Sequence, residues 1–110
     1  MSRVGHLLNG RVEVWRPVTA DDGGGGQDTT WVLQATLRAR LAQPSARERQ
    51  AADQAEADLT HIVYLTPGAD VRRGDELRTT AAVVLEVTAV FEPSAPGTYL
   101  RADCTARQHE

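Results

Sequence analysis

The sequence predicts a mainly all-β protein: six antiparallel strands in a small barrel or sandwich, with one short helix in a long connection between strands two and three. Three observations carry this. Apolar residues recur with period two in several short stretches, and Gly, Pro and Asp punctuate them at regular spacing. The third is an absence: the sequence shows no internal repeat and no alternation of strand and helix patterns.

A chain of 110 residues fits one domain, 1–110. Folding at this length buries roughly two-thirds of the surface, so a core can form without staples. The 41% hydrophobic and 25% charged content is that of a globular domain and excludes disorder throughout. A net charge of −3 and a pI near 5.6 lack the basic excess that phosphate neutralisation requires, which argues against a nucleic-acid binder. Cys104 is the single cysteine, so no intrachain disulfide is possible. Leu7 and Leu8 lie between His6 and Asn9, too short a run for a signal peptide, and no stretch reaches membrane-spanning length. A soluble protein of a reducing cytoplasm, with no membrane partner, is expected.

The first strand is read over Arg11 to Arg16, with Val12 and Val14 inward and Pro17 ending it for want of an N–H. Thr19 to Asp28 follows within a flexible loop of about 18–29, where Gly23, Gly24, Gly25 and Gly26 stand among Asp21, Asp22, Gln27 and Asp28. Thr30 to Leu41 has the clearest alternation, placing Trp31, Leu33, Ala35, Leu37, Ala39 and Leu41 on one apolar face. Pro44 stops it. Ser45 and Glu48 match a capping box, so a helix is predicted over Ala46 to Ala57 within an insertion of about 42–59. Its apolar residues are all alanines, so it is expected to gain order from a neighbour.

Thr60 to Thr66 is the third strand, and turns are read at Pro67 to Asp70 and at Gly74 and Asp75. Leu77 marks a short fourth strand. Val83 to Phe91 is the fifth, with Leu85, Val87, Ala89 and Phe91 facing one way. Glu92 to Gly97 has loop composition, and Tyr99 to Thr105 is the sixth strand, with Leu100, Ala102 and Cys104 on a common face.

No constellation supports catalysis, and neither cofactor nor metal is expected. His6, His61 and His109 sit at no metal-ligand spacing, and the acids around the glycines lack the order of a calcium loop. The glycine run has no Lys-Ser/Thr pair after it and so is no phosphate cradle. Cys104 reads as core, not nucleophile. Trp15 lies opposite the valines of its strand and is the candidate interface aromatic.

The order of LLNGRVEVWRPV, the glycine/aspartate loop, TWVLQATLRARL, PSARE with its alanine-rich continuation, THIVYL, VRRGDEL, LEVTAV and LRADCTAR resembles the head–tail joining, or head-closure, family of tailed phages. The chain departs from that pattern at Leu65 to Pro67, where a basic residue is common, and at Thr79 to Ala82, where a glycine-led turn is common. The resemblance implies a small six-stranded antiparallel β-barrel and a structural neck protein of the virion: a ring of its own copies, expected to be dodecameric, between the portal or adaptor ring and the tail terminator or tail-tube protein. It implies that packaged DNA passes through the channel without sequence-specific binding. It also places the connection between strands two and three at the channel. Ser45, Arg47, Glu48, Arg49, Gln50, Asp53, Gln54 and Glu56 are therefore the candidate gate or subunit interface. The loop residues Asp21 to Asp28 are the candidate docking element toward adaptor or tail. A tail-completion subunit or other neck protein is the alternative, followed by a small-barrel nucleic-acid binder.

Overall fold

A computed structural model of the chain describes residues 10–55, 58–92 and 99–107. Its strands are β1 (Gly10–Asp21), β2 (Gln27–Ala42), β3 (His61–Leu65), β4 (Glu76–Thr79), β5 (Val84–Phe91) and β6 (Leu100–Arg107). One helix, α1 (Ala46–Gln54), lies between β2 and β3. All neighbouring pairs are antiparallel, and the order β1-β2-β3-β6-β5-β4 closes on itself as a barrel. Closure removes the open edges of a sheet wherever strands are paired on both sides.

The barrel interior is filled by the inward residues of every strand. Val12 and Val14 of β1, Ala39 of β2, Val63 and Leu65 of β3, Leu77 of β4, Leu85 and Val87 of β5, and Leu100, Ala102 and Cys104 of β6 form one cluster. Val71 joins it from the connection between β3 and β4, and Leu37 and Val90 pack against its margins. The narrow interior of a six-stranded barrel suits the preponderance of Val, Leu and Ala.

The structure departs from the pattern expected of the sequence at four points. Pro17 does not end β1: it stands opposite Trp31, and pairing continues to Asp21 opposite Gln27. β4 pairs β1 only from Val12 to Trp15, so beyond that point β1 has an open edge on which a missing N–H does no harm. The loop of 18–29 accordingly shrinks to the five residues Asp22 to Gly26. There Oδ1 of Asp22 accepts from the N–H groups of Gly24 (2.8 Å) and Gly26 (3.0 Å). Gly23 and Gly25 take the positive φ angles, 82° and 89°, that side chains avoid.

The other two departures are reversals of facing. Val14 stands opposite Ala35 but Trp15 stands opposite Leu33, which leaves Gln34 as an extra residue on β2. That bulge inverts the alternation. Ala35, Leu37 and Ala39 face the core as expected, whereas Trp31 and Leu33 turn to the outer surface beside Trp15 and Pro17. Leu33 is 45% exposed there. Leu41 keeps the inward side but stands at the barrel's mouth, exposed. In β5, Val87 faces Cys104 and Ala89 faces Asp103, so Thr88 is the extra residue and Val90, not Ala89, returns to the core side. Phe91 is left outside, 51% exposed. The region 93–98, which holds most of the expected loop after β5, lies outside the described residues.

Just past the last core residue of β1, Arg16 reaches to the connection between β3 and β4. Its Nε and Nη2 each lie 3.0 Å from the carboxylate of Asp75, and Nη2 also meets Asp70 at 3.2 Å. Asp75 is 1% exposed and also accepts from the N–H of Arg72 at 2.9 Å. These bonds hold the arginine firmly protonated and draw Asp70 below the usual carboxylate range. The connection is fastened further by Gly74 N–H to Val87 C=O and Val87 N–H to Asp75 C=O, both 2.9 Å.

Removing one partner of this pair leaves the other charge largely out of water. Asp75→Ala is expected to cost about 3 kcal/mol in urea unfolding. A second change should act in the opposite direction. Ala82 adopts φ 63°, a left-handed backbone that costs L side chains roughly 1 kcal/mol, at the turn before β5. Ala82→Gly is expected to raise unfolding stability by about 0.5 kcal/mol, net of the extra freedom of glycine in the unfolded chain.

Candidate functional site

The insertion after β2 lies against the outside of the barrel. Ser45 is the N-cap of α1: its Oγ accepts from Glu48 N–H at 3.2 Å, while Glu48 Oε1 accepts from Ser45 N–H at 3.0 Å. The capping box read from the sequence is therefore formed, although the helix is shorter than expected, ending at Gln54 with Ala55 as its C-cap. Oε2 of Glu48 lies 3.1 Å from Nη1 of Arg101 on β6, and Nε of that arginine is 2.8 Å from Asp103 Oδ1. The hydrogen bonds from Ser45, then the nearby Arg101 charge, hold the Glu48 carboxyl below its usual range. Asp103 in turn keeps Arg101 firmly protonated.

A second anchor follows the helix. The Asp58 carbonyl accepts from Oγ1 of Thr105, Thr60 N–H donates to Cys104 C=O at 3.0 Å, and Ala106 N–H donates to Oγ1 of Thr60 at 2.7 Å. His61 shares the same hydroxyl through Nδ1, 3.0 Å away. Both ends of the segment are thus tied to β6 by polar contacts. Between them, α1 buries no residue. Arg47, Arg49, Gln50, Asp53 and Gln54 are exposed, and Glu56 lies outside the described residues. Ala52, Ala55 and Leu59 face Ala89 and Phe91 across a shallow groove that also contains Asp58 and Asp103.

Trp15 is less free than its position in the sequence suggests. The guanidinium of Arg78 lies 4.3 Å from its ring centroid, and its Nε1 donates to Glu13 at 3.1 Å. Arg78 also pairs with Glu76 at 3.0 Å, and Arg107 pairs with Glu76 and, at 3.5 Å, with Glu86. Arg107 in turn lies 5.4 Å from the Trp31 ring. This outer network was not legible in the sequence, because its members come from five strands and meet only when the barrel closes. Its one local signal is the spacing of Glu76 and Arg78, which puts both on the face opposite Leu77.

At the remote end, the ribbon formed by the outer parts of β1 and β2 presents Asp21, Asp22, Gly23, Gly24, Gly25, Gly26, Gln27 and Asp28. These residues are far along the hairpin from α1, so the two candidate elements are separate surfaces. Cys104 is buried among the core side chains, and that burial pushes its thiol up to about 12, where the reactive thiolate is scarce at neutral pH. Among the described residues no three His, Cys, Asp or Glu side chains converge as a metal site, and no helix is long and apolar enough to cross a membrane.

These features define a small closed antiparallel barrel whose distinctive side chains lie on its outer surface and on two appended elements. A family of phage head completion proteins matches the chain over residues 6–107, and the chain belongs to that family. Membership gives it a head-completion role in phage assembly, as a component of the virion. Among solved structures, that of protein SF1141 from Shigella flexneri 2a is similar, with a TM-score of 0.76 at 20% identity over 94% of this chain and 96% of that one. Its likeness is one of fold. No curated protein matches the sequence.

The anchoring of α1 has a pH signature. Glu48 titrates lower in the folded chain than its ordinary value of 4.5, so its contribution is fully present above that value and is lost as pH falls through the folded one. Amide exchange in α1 is expected to stay level from pH 7 to about pH 5 after correction for intrinsic rates, then to rise in acid ahead of the barrel strands. Ser45→Ala is expected to loosen the same amides at neutral pH by about 1 kcal/mol, leaving those of β6 protected.

Proposed function

We propose that the chain is a head-closure subunit of a phage neck. Its copies form a ring, expected to be dodecameric, between the portal or adaptor ring and the tail, where it retains packaged DNA and joins head to tail. It acts as a structural part and not as an enzyme, is made in the bacterial host cytoplasm, and lets DNA pass without sequence-specific binding. Family membership supports the reading, as does a net charge of −3, which favours sliding of DNA over adhesion.

The observation that carries the mechanism is the attachment of α1. A helix with no buried residue, held to β6 through Glu48 at one end and Asp58 and Thr60 at the other, can leave its seat without opening the core. Ser45 to Glu56 is the proposed gate and subunit contact, narrowing the channel until tail attachment shifts it. Trp15 is the proposed aromatic contact with an adjoining subunit, and the turn Asp21 to Asp28 is a docking element.

Light scattering of the chain with portal–adaptor complexes is expected to give stoichiometric ring binding. Association with tail-tube protein and none with the complex would move the chain to the tail side of the joint. Deleting Ala46 to Gln54 is expected to leave a folded barrel that binds the complex while filled heads lose DNA. Heads that kept their DNA would overturn the gate.

A further inference from the structure

Two clusters of charge on the β1–β2 ribbon lack partners among the described residues, and they are opposite in sign. At the barrel end, Arg11 stands directly across from Arg38, and Arg40 follows two residues along the same face of β2. All three are exposed, and none forms an ion pair with a described residue, although eight other arginine–carboxylate contacts among the described residues involve Arg16, Arg72, Arg78, Arg101 and Arg107. Like charges directly opposite on a sheet destabilise it, and the acid that follows on the same face, Glu13, accepts from Trp15 and forms no ion pair with either arginine. At the far end, Asp21 and Asp28 flank the turn, exposed and likewise without a cation. About ten residues of extended strand, on the order of 30 Å, separate the clusters, too far for either to neutralise the other within one copy.

The backbone between them is also unsatisfied. β3 pairs with β2 only from Ala39 to Ala42, so residues 27–38 of β2 have a free edge among the described residues. Exposed Val18, Val32 and Leu33 add apolar surface to this stretch. A sheet edge twelve residues long is ordinarily blunted, and this one is not covered by any described element.

We infer that the acidic tip of one copy seats on the Arg11, Arg38 and Arg40 patch of a second copy, with its ribbon along the free edge of β2. This deepens the ring reading above by naming a contact between neighbours. The contact is taken as head-to-tail, the tip of each copy engaging the patch of the next without the reciprocal contact, so the association continues around a ring; the reciprocal arrangement would close as a two-fold dimer. A basic patch could also take nucleic-acid phosphate. The second copy is favoured because the complementary acids are in the same chain, one acidic tip for each basic patch, beside an edge that a strand can extend.

The experiment is sedimentation velocity on the full chain. The wild type is expected to self-associate with rising concentration, and less so in high salt. A tip variant, Asp21→Arg with Asp28→Arg, and a patch variant, Arg38→Glu with Arg40→Glu, are each expected to associate at least tenfold more weakly. Asp22 is left alone because it holds the turn. Mixing the two variants restores association, since each then supplies the charge the other lacks; this also shows that both are folded. Association that ignores both reversals overturns the inference, as does a mixture that stays apart, or a wild type monomeric up to about 1 mM. Salt-sensitive binding of a DNA fragment, lost in the patch variant while self-association persists, assigns the patch to phosphate and likewise overturns it. Ring formation on the portal complex is scored separately: rings that form with either reversed variant leave the neck reading standing and remove only this contact.

Discussion

Backbone hydrogen bonds at the edge of a strand must be satisfied by something, and in this protein the short strands cannot satisfy the long ones. β1 and β2 run for 12 and 16 residues, while β3 and β4, their other neighbours, have 5 and 4. Six strands can close into a barrel only over the length they share. The remainder of β1 and β2 has to leave the barrel as a two-stranded ribbon, and the acidic tip, the free edge of β2 and the Arg16 cluster follow from that excess or lie at its root. The core itself is confined to the shared length, so the stability of the barrel and the reach of the ribbon are set by different residues.

Where the ribbon departs, a charged side chain takes over from the apolar core. Arg16 occupies the position on β1 that follows Val12 and Val14 inward, and it meets Asp75 and Asp70 in place of another hydrophobic residue. Burying such a pair is worthwhile only when its hydrogen bonds are well made, and Asp75 accepts from both the guanidinium and the Arg72 amide. The ribbon is thereby held to the connection that closes that end of the barrel. By contrast, α1 is attached through partly exposed polar groups and buries nothing of its own. A tightly fixed ribbon and a loosely seated helix on one frame suit a subunit that must keep its place in an assembly while one element changes position.

The two bulges have a common consequence. Each inserts one residue, Gln34 in β2 and Thr88 in β5, and each moves large apolar side chains from the expected interior to the surface. Arginines lie over the aromatics so displaced: Arg107 near Trp31 and Arg101 5.8 Å from the Phe91 ring. Stacked guanidinium groups reduce the apolar surface in water while remaining free to separate when another protein arrives. Surface of this kind is what an assembling subunit needs, since it must stay in solution before it joins its neighbours.

Much of this was legible in the amino-acid sequence. Period-two alternation and short apolar runs between turn signals located the six strands, Ser45 and Glu48 identified the start of the helix, and Leu100, Ala102 and Cys104 were correctly assigned to the core. These are local properties, decided by residues within a few positions of one another. What only the tertiary structure decided was non-local. An unbroken alternation from Trp31 to Leu41 carries no mark of the bulge at Gln34, because the extra residue exists only relative to the partner strand. Pro17 reads as a strand end until it is known that β4 stops short and leaves that edge open. The capping carboxylate of Glu48 could be inferred, but not its pairing with Arg101, fifty-three residues away. Side-chain pattern fixes what a segment is, whereas pairing register and barrel closure decide which way it faces and what it touches.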